Sequence, residues 1–183
     1  MRLKLFAHLL IVICAGTTLA GCNRTLDRYE VRDFVDQADN AARKRFAPEV
    51  CELRGKNFRM HLTFHAEGES EPSELEINRS LFCRQAGELA RLRQYKLERK
   101  SIEIKLAPDE KTAIVRAEYV ETMPYYGEYS RPATPDDFQE WQIIESLDES
   151  IVGIEDGNLV FLSTDAESHQ SLVSKGEIKL PYN

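Results

Sequence analysis

Residues 57–66 read NFRMHLTFHA. Phe58, Met60, Leu62, Phe64 and Ala66 alternate with Arg59, His61, Thr63 and His65. A period of two is the pleat of a β-strand, so the stretch predicts a strand with one dry face and one wet face. The chain before it keeps a different period. Leu26, Phe34, Val35, Ala38, Ala41, Ala42 and Phe46 recur mostly at three- and four-residue steps. That spacing predicts one amphipathic helix, capped by Thr25 and ended by Pro48. A short helical turn around Cys51 and Leu53 would join helix to strand.

Downstream, EGESEPS (67–73) is rich in turn formers, and ELEIN (74–78) reads as a returning strand. Asn78 is placed to cap a helix carrying Leu81, Phe82, Cys83, Ala86, Leu89 and Ala90. The alternative takes Ser73 and Glu76 as a capping box and starts that helix earlier. The remainder reads as sheet. In YKLERKSIEIKLA (95–107), Tyr95 and Leu97 keep one phase while Ile102, Ile104 and Leu106 keep the other. The slip near Lys100 predicts a bulge, which would curve the sheet. PDEK (108–111) is a turn, TAIVRAEYVETM (112–123) a strand, and FQEWQIIESLDESIVGI (138–154) another. Glu155-Asp156-Gly157-Asn158 forms a tight turn into LVFLS (159–163). From about Asp165 the chain turns polar and reads as a loosely attached tail.

The resulting class is α+β: helix, strand, a short strand, helix, then long antiparallel strands. In element order, and in the look of RMHLTFHA, INRSLFCRQAGEL, YKLERKSIEIKL and KTAIVRAEYVETM, the chain resembles the nuclear-transport-factor-2-like fold. That fold is also called the SnoaL-like or cystatin-like cone. The resemblance covers about residues 25–163. It implies a curved antiparallel sheet wrapped around the long N-terminal helix, a cone that in some members holds a pocket with isomerase, dehydratase or hydrolase chemistry. In others the cone serves binding or assembly without chemistry, so fold alone does not set function.

The N-terminus carries a separate signal. Arg2 and Lys4 precede a largely apolar run from Leu5 to Leu19, the layout of a secretory signal. The run is shorter than the roughly 20 residues of a spanning helix. Leu19-Ala20-Gly21-Cys22 resembles the bacterial lipobox: an aliphatic residue, two small residues and a cysteine. The resemblance implies diacylglycerol on the Cys22 sulfur, cleavage before Cys22 and acylation of its new amino group. Two or more acyl chains make a stable anchor, at about 0.8 kcal/mol per buried CH₂. Asn23 stands where an Asp is associated with inner-membrane retention, so the resemblance implies the outer membrane of a Gram-negative cell, facing the periplasm.

The expected organisation is a signal peptide over 1–21, a lipidated tether over 22–24, a cone domain over 25–164 and a polar tail over 165–183. Losing Arg2 and Lys4 with the signal takes the net charge from -7 to -9. So acidic a body argues against a nucleic-acid partner and against a folded face on anionic lipid. With Cys14 lost and Cys22 lipidated, Cys51 and Cys83 remain in an oxidising compartment. That predicts a disulfide between them; the other reading is two separately buried thiols.

Chemistry is sparse. His61 and His65 share a strand face, but four residues apart means about 13 Å, too far for one metal. His169 falls in the expected tail. Two cysteines without a nearby histidine cluster make no zinc site. Glycines occur singly, so no phosphate loop is present. The sequence therefore assigns no catalytic residue, no cofactor and no metal. Tyr119 and Glu121 share a strand phase, as do Trp141 and Glu145. A carboxylate moved from either pair into an apolar cone would have a raised pKa and could serve as a base. PYYGEYSRPATPDD (124–137) is a long loop with Tyr125, Tyr126, Tyr129 and Arg131, residue types that anchor interfaces. The leading expectation is thus a lipid-anchored, non-catalytic binding or assembly module with a periplasmic protein partner. An accessory to an envelope or secretion complex, or an immunity protein, would fit; self-association stays open. The rival is a pocket enzyme acting on a small apolar substrate.

Overall fold

The computed structural model describes residues 24–92, 94–126, 138 and 140–177. Their order is α1 (Arg28–Arg43), α2 (Ala47–Glu52), β1 (Arg54–His65), β2 (Ser73–Asn78) and α3 (Arg79–Leu89), then β3 (Lys96–Leu106), β4 (Thr112–Tyr125), β5 (Glu140–Glu155) and β6 (Asn158–Ser174). The strands form one sheet in the order β2-β1-β6-β5-β4-β3. The α+β class is as the sequence implies, with one refinement: β1 and β6 pair in parallel, and every other pair is antiparallel. Parallel neighbours need a long crossover, and everything from β2 to β5 supplies it.

Helix α1 starts at a different cap from the one expected. Asp27, not Thr25, accepts the Glu30 amide at 2.8 Å. That register leaves Leu26 just outside the helix, where it is buried in the same core cluster as Val31, in the manner of a hydrophobic staple. The helix also ends before Pro48. Arg45 is left-handed (φ 56°), Arg45 N–H donates to Ala42 C=O and Phe46 N–H to Ala41 C=O. These two bonds close the helix as a Schellman motif, and Pro48 instead sits in the first turn of α2. At α3 the expected cap holds: the Asn78 side chain accepts the Leu81 amide at 2.9 Å.

The core lies between α1 and the concave face of the sheet. Val31, Phe34 and Val35 pack with Phe58, Ile104, Val115, Val152 and Phe161, and the Phe34 and Phe161 rings meet at 4.9 Å. The β3–β4 register shifts between Arg99 and Ser101, which is the bulge expected near Lys100. The β5–β6 turn places Asp156 (φ 51°) and Gly157 (φ 82°) both left-handed, as a two-residue hairpin of this twist requires.

One boundary is corrected. The expected loose tail from Asp165 is a continuation of β6, paired on one side with β5 through Ser174 and on the other with β1 through His169. Its composition misleads because alternate residues there face solvent, while Ala166 and Ser168 turn inward and are buried.

Candidate functional site

A cavity of about 530 Å³ opens on the concave face, roofed by α1 and α3. Strand registry explains its wall. Along β1, Met60, Leu62 and Phe64 face inward, the dry phase of the opening stretch. With Phe82 and Leu89 of α3 they make an apolar side. On β4 and β5 the inward phase carries Tyr119, Glu121, Ser146 and Asp148, which make a polar side. Tyr119 is the Cα partner of Ser146, and Asp148 that of Ala117, so these groups form adjacent rows.

Three acidic groups lie in this interior, each with its own neighbours. Asp39 projects from α1. Arg99 Nη1 approaches its Oδ2 to 2.7 Å, and the Tyr119 hydroxyl donates to its Oδ1 at 3.2 Å. Burial raises the Asp39 pKa, and Arg99, Tyr119 and Arg43 oppose that rise. Glu121 is pushed up to about 7, chiefly by burial and further by Asp148, while a hydrogen bond from the Tyr95 phenol pulls it down. Burial and the Glu121 charge both raise Tyr95, so the phenol keeps its proton and donates. Asp148 is raised to about 6 by burial, against the pull of a Ser146 hydrogen bond and of the Arg54 charge.

Arg54 sits deep among rings. Its guanidinium carbon lies 4.3 Å from the Phe161 ring centre, 4.5 Å from Phe82 and 5.5 Å from Phe58. Burial lowers its pKa to about 10, which leaves it charged at neutral pH. Arg54 Nε and Nη1, and Asp148 Oδ1, are buried with no hydrogen-bond partner among the described residues. An unpaired buried donor and an unpaired buried acceptor in one cavity are a costly arrangement that a polar ligand atom would relieve.

The residues singled out in the sequence are distributed as follows. Tyr119 and Glu121 do face the cavity together. Glu145 does not: it is exposed on the convex face, and its phase partner Trp141 is buried there under Phe138, ring centres 4.6 Å apart. Tyr125 closes the β4–β5 ladder opposite Glu140, and Tyr126 meets Phe138 edge-on at 6.2 Å. Tyr129, Arg131 and Cys22 lie outside the described residues. Cys51 and Cys83 stand at disulfide distance, with Cα atoms 5.2 Å apart, and tie α2 to α3.

Asp39, Arg54, Tyr95, Arg99 and Asp148 were not singled out in the sequence. For Asp39 a signal existed: it falls inside the apolar stripe of Val35, Ala38 and Ala42, where a carboxylate is out of place. Asp148 shares the inward phase of Ile144. Arg54 stands at a strand start with no pattern around it.

The histidines are also rearranged. His65 and His169 are Cα partners on β1 and β6, and their rings stack at 4.2 Å on the convex face. Their Nε2 atoms lie 3.3 and 3.5 Å from Glu167 Oε1.

No family model and no curated protein matches the chain. Solved structures do. A putative scytalone dehydratase from Novosphingobium aromaticivorans DSM 12444 superposes with a TM-score of 0.55 at 11% identity, over 83% of this chain and 87% of that one. LinA gives 0.55 at 9% identity, over 85% and 97%. A nuclear-transport-factor-2-like protein with a cystatin-like fold, also from Novosphingobium aromaticivorans, gives 0.52 at 10% identity, over 91% and 90%. The architecture is therefore the nuclear-transport-factor-2-like cone. Identity this low speaks for the fold alone, and the chemistry must come from the cavity itself.

Proposed function

We propose that the cone binds a small, mainly apolar molecule bearing a carbonyl or hydroxyl group and moves a proton on it. The observation that carries this reading is Glu121: a carboxyl in the cavity, paired to Tyr95, with a pKa near 7. A group half ionised near neutral pH both takes and returns protons efficiently. Glu121 is the general base and then the acid, and Tyr95 orients it. The apolar side formed by Met60, Leu62 and Phe64 receives the body of the ligand. Arg54 offers donors to its oxygen, and Asp148 accepts from its hydroxyl.

Of the two expectations drawn from the sequence, this geometry supports the pocket enzyme over the non-catalytic module. The lipobox over residues 19–22 supports a further part of the proposal: the domain works on a tether at Cys22, at the periplasmic face of the outer membrane. One fold neighbour, by name a putative scytalone dehydratase, is in keeping with proton-transfer chemistry in such a cone.

A panel of small ketones and hydroxy-ketones tests the reading. Binders would be found by thermal shift, then incubated in D₂O with wild type and Glu121→Gln and followed by NMR. Deuterium should enter beside the carbonyl only with wild type. Binding without exchange would leave a carrier and remove the enzyme.

A further inference from the structure

The parallel pairing of β1 with β6 creates an arrangement that neither strand holds alone. His65 and His169 are in register on neighbouring strands, about 4.8 Å apart in the hydrogen-bonding direction. Glu167 lies two residues before His169 on the same face. The three ligand atoms all fall within 4.8 Å of one another. We propose that His65, Glu167 and His169 form a binding site for a first-row divalent metal ion, Zn²⁺ above others, on the convex face.

The geometry fits that ion. Zinc bonds of 2.0–2.1 Å in a tetrahedron place neighbouring ligand atoms about 3.3 Å apart. Two of the three edges are already near that value, at 3.3 Å for His65 to Glu167 and 3.5 Å for His169 to Glu167. Only the edge between the two imidazoles must close, which a tilt of the stacked rings achieves. His65 Nε2 is shielded from solvent and, among the described residues, makes no aligned hydrogen bond, although Glu167 is beside it. A buried nitrogen without that bond is open to a metal once the two near-parallel rings tilt toward each other.

The surroundings favour a cation. Glu145 is the Cα partner of His169 and Asp165 that of His61, and both acids are on the same exposed face. Water completes the set, or a Glu145 oxygen reaches it through a change of rotamer. Two imidazoles with one carboxylate select zinc, copper or nickel over calcium or magnesium, which prefer all-oxygen shells. The site lies on the opposite face of the sheet from the cavity, so it stands or falls independently of the proton-transfer reading.

Isothermal titration of the untagged protein with ZnCl₂ tests the proposal, with Co²⁺ absorption as a report on geometry. One equivalent should bind to wild type, and Co²⁺ should give the intense visible bands of tetrahedral coordination. His65→Ala and His169→Ala should each weaken binding at least tenfold and abolish those bands. Glu145→Gln should have a smaller effect. All three variants alter groups on the convex face, His65 partly buried there, and unchanged circular dichroism would confirm folding. No saturable site in wild type, or equal binding by His65→Ala and His169→Ala, would overturn the proposal. MgCl₂ binding as tightly as ZnCl₂ would overturn the assigned metal class.

Discussion

Arg99 Nη1 lies 2.7 Å from Asp39 Oδ2, and this ion pair fastens β3 to α1 across the interior of the cone. Arg99 also pairs with Asp36 at its outer side, while the Asp39 carboxylate is almost wholly buried. Asp39→Ala should cost about 3 kcal/mol, because Arg99 then keeps only the more exposed Asp36. Asp39→Asn should cost less, since the amide oxygen still accepts from Tyr119. Urea unfolding midpoints measure both. Equal losses would show that the hydrogen bond from Tyr119 contributes nothing.

Stability should fall as pH rises through the cavity's own titration. Glu121 holds its proton up to about 7 in the folded chain against an ordinary 4.5, and Asp148 up to about 6 against 3.8. Between those values the folded state binds more protons than the unfolded one, so raising the pH favours unfolding. For Glu121 the loss between pH 4.5 and 7 is roughly 3 kcal/mol. Glu98, on the surface between Lys96 and Lys100, runs the other way: its pKa falls to about 2, so its contribution disappears only in acid. Thermal unfolding from pH 4.5 to 8 should therefore show a decline that Glu121→Gln flattens. A wild-type curve already flat over that range would refute the raised carboxyl.

Joining Cys51 to Cys83 closes a loop over a sequence separation of 32 and links α2 to α3. Chain entropy assigns such a loop roughly 4 kcal/mol. The Cys51→Ala/Cys83→Ala double variant should melt roughly 10 °C lower, given typical unfolding entropies for a domain of this size. Wild type treated with reductant should approach it. If reductant leaves the melting temperature unchanged, the two cysteines are separate thiols in solution.

Cys22 should carry lipid in a Gram-negative cell. Metabolic labelling with palmitate should mark wild type and fail in Cys22→Ser, and the labelled protein should fractionate with the outer membrane. Equal labelling of the two proteins would remove the anchor from the proposed function.

Much of the fold was legible because its signals are short-ranged. Alternation over residues 58–66, the Asn78 cap, the phase slip near Lys100 and the Asp156-Gly157 turn each depend on a few neighbouring residues. The misreadings arose where tertiary contacts outweigh local preference. Burying Leu26 moved the α1 cap from Thr25 to Asp27, and pairing on both sides made a strand of the polar stretch after Asp165. The cavity was legible in part: strand phase alone put Tyr119 and Glu121 on one face. It could not separate them from Trp141 and Glu145, because phase leaves open which face a strand turns inward.

What the sequence determined by itself was the α+β class, the element order and the curved sheet. Each follows from periodicity or from a contiguous motif. What only the tertiary structure decided was which charged groups meet. Asp39, Arg54, Tyr95, Glu121 and Asp148 come to one cavity from five separate segments, and His65 reaches His169 only because β1 lies parallel to β6. Strand pairing sets those encounters, and no local stretch of the chain encodes it.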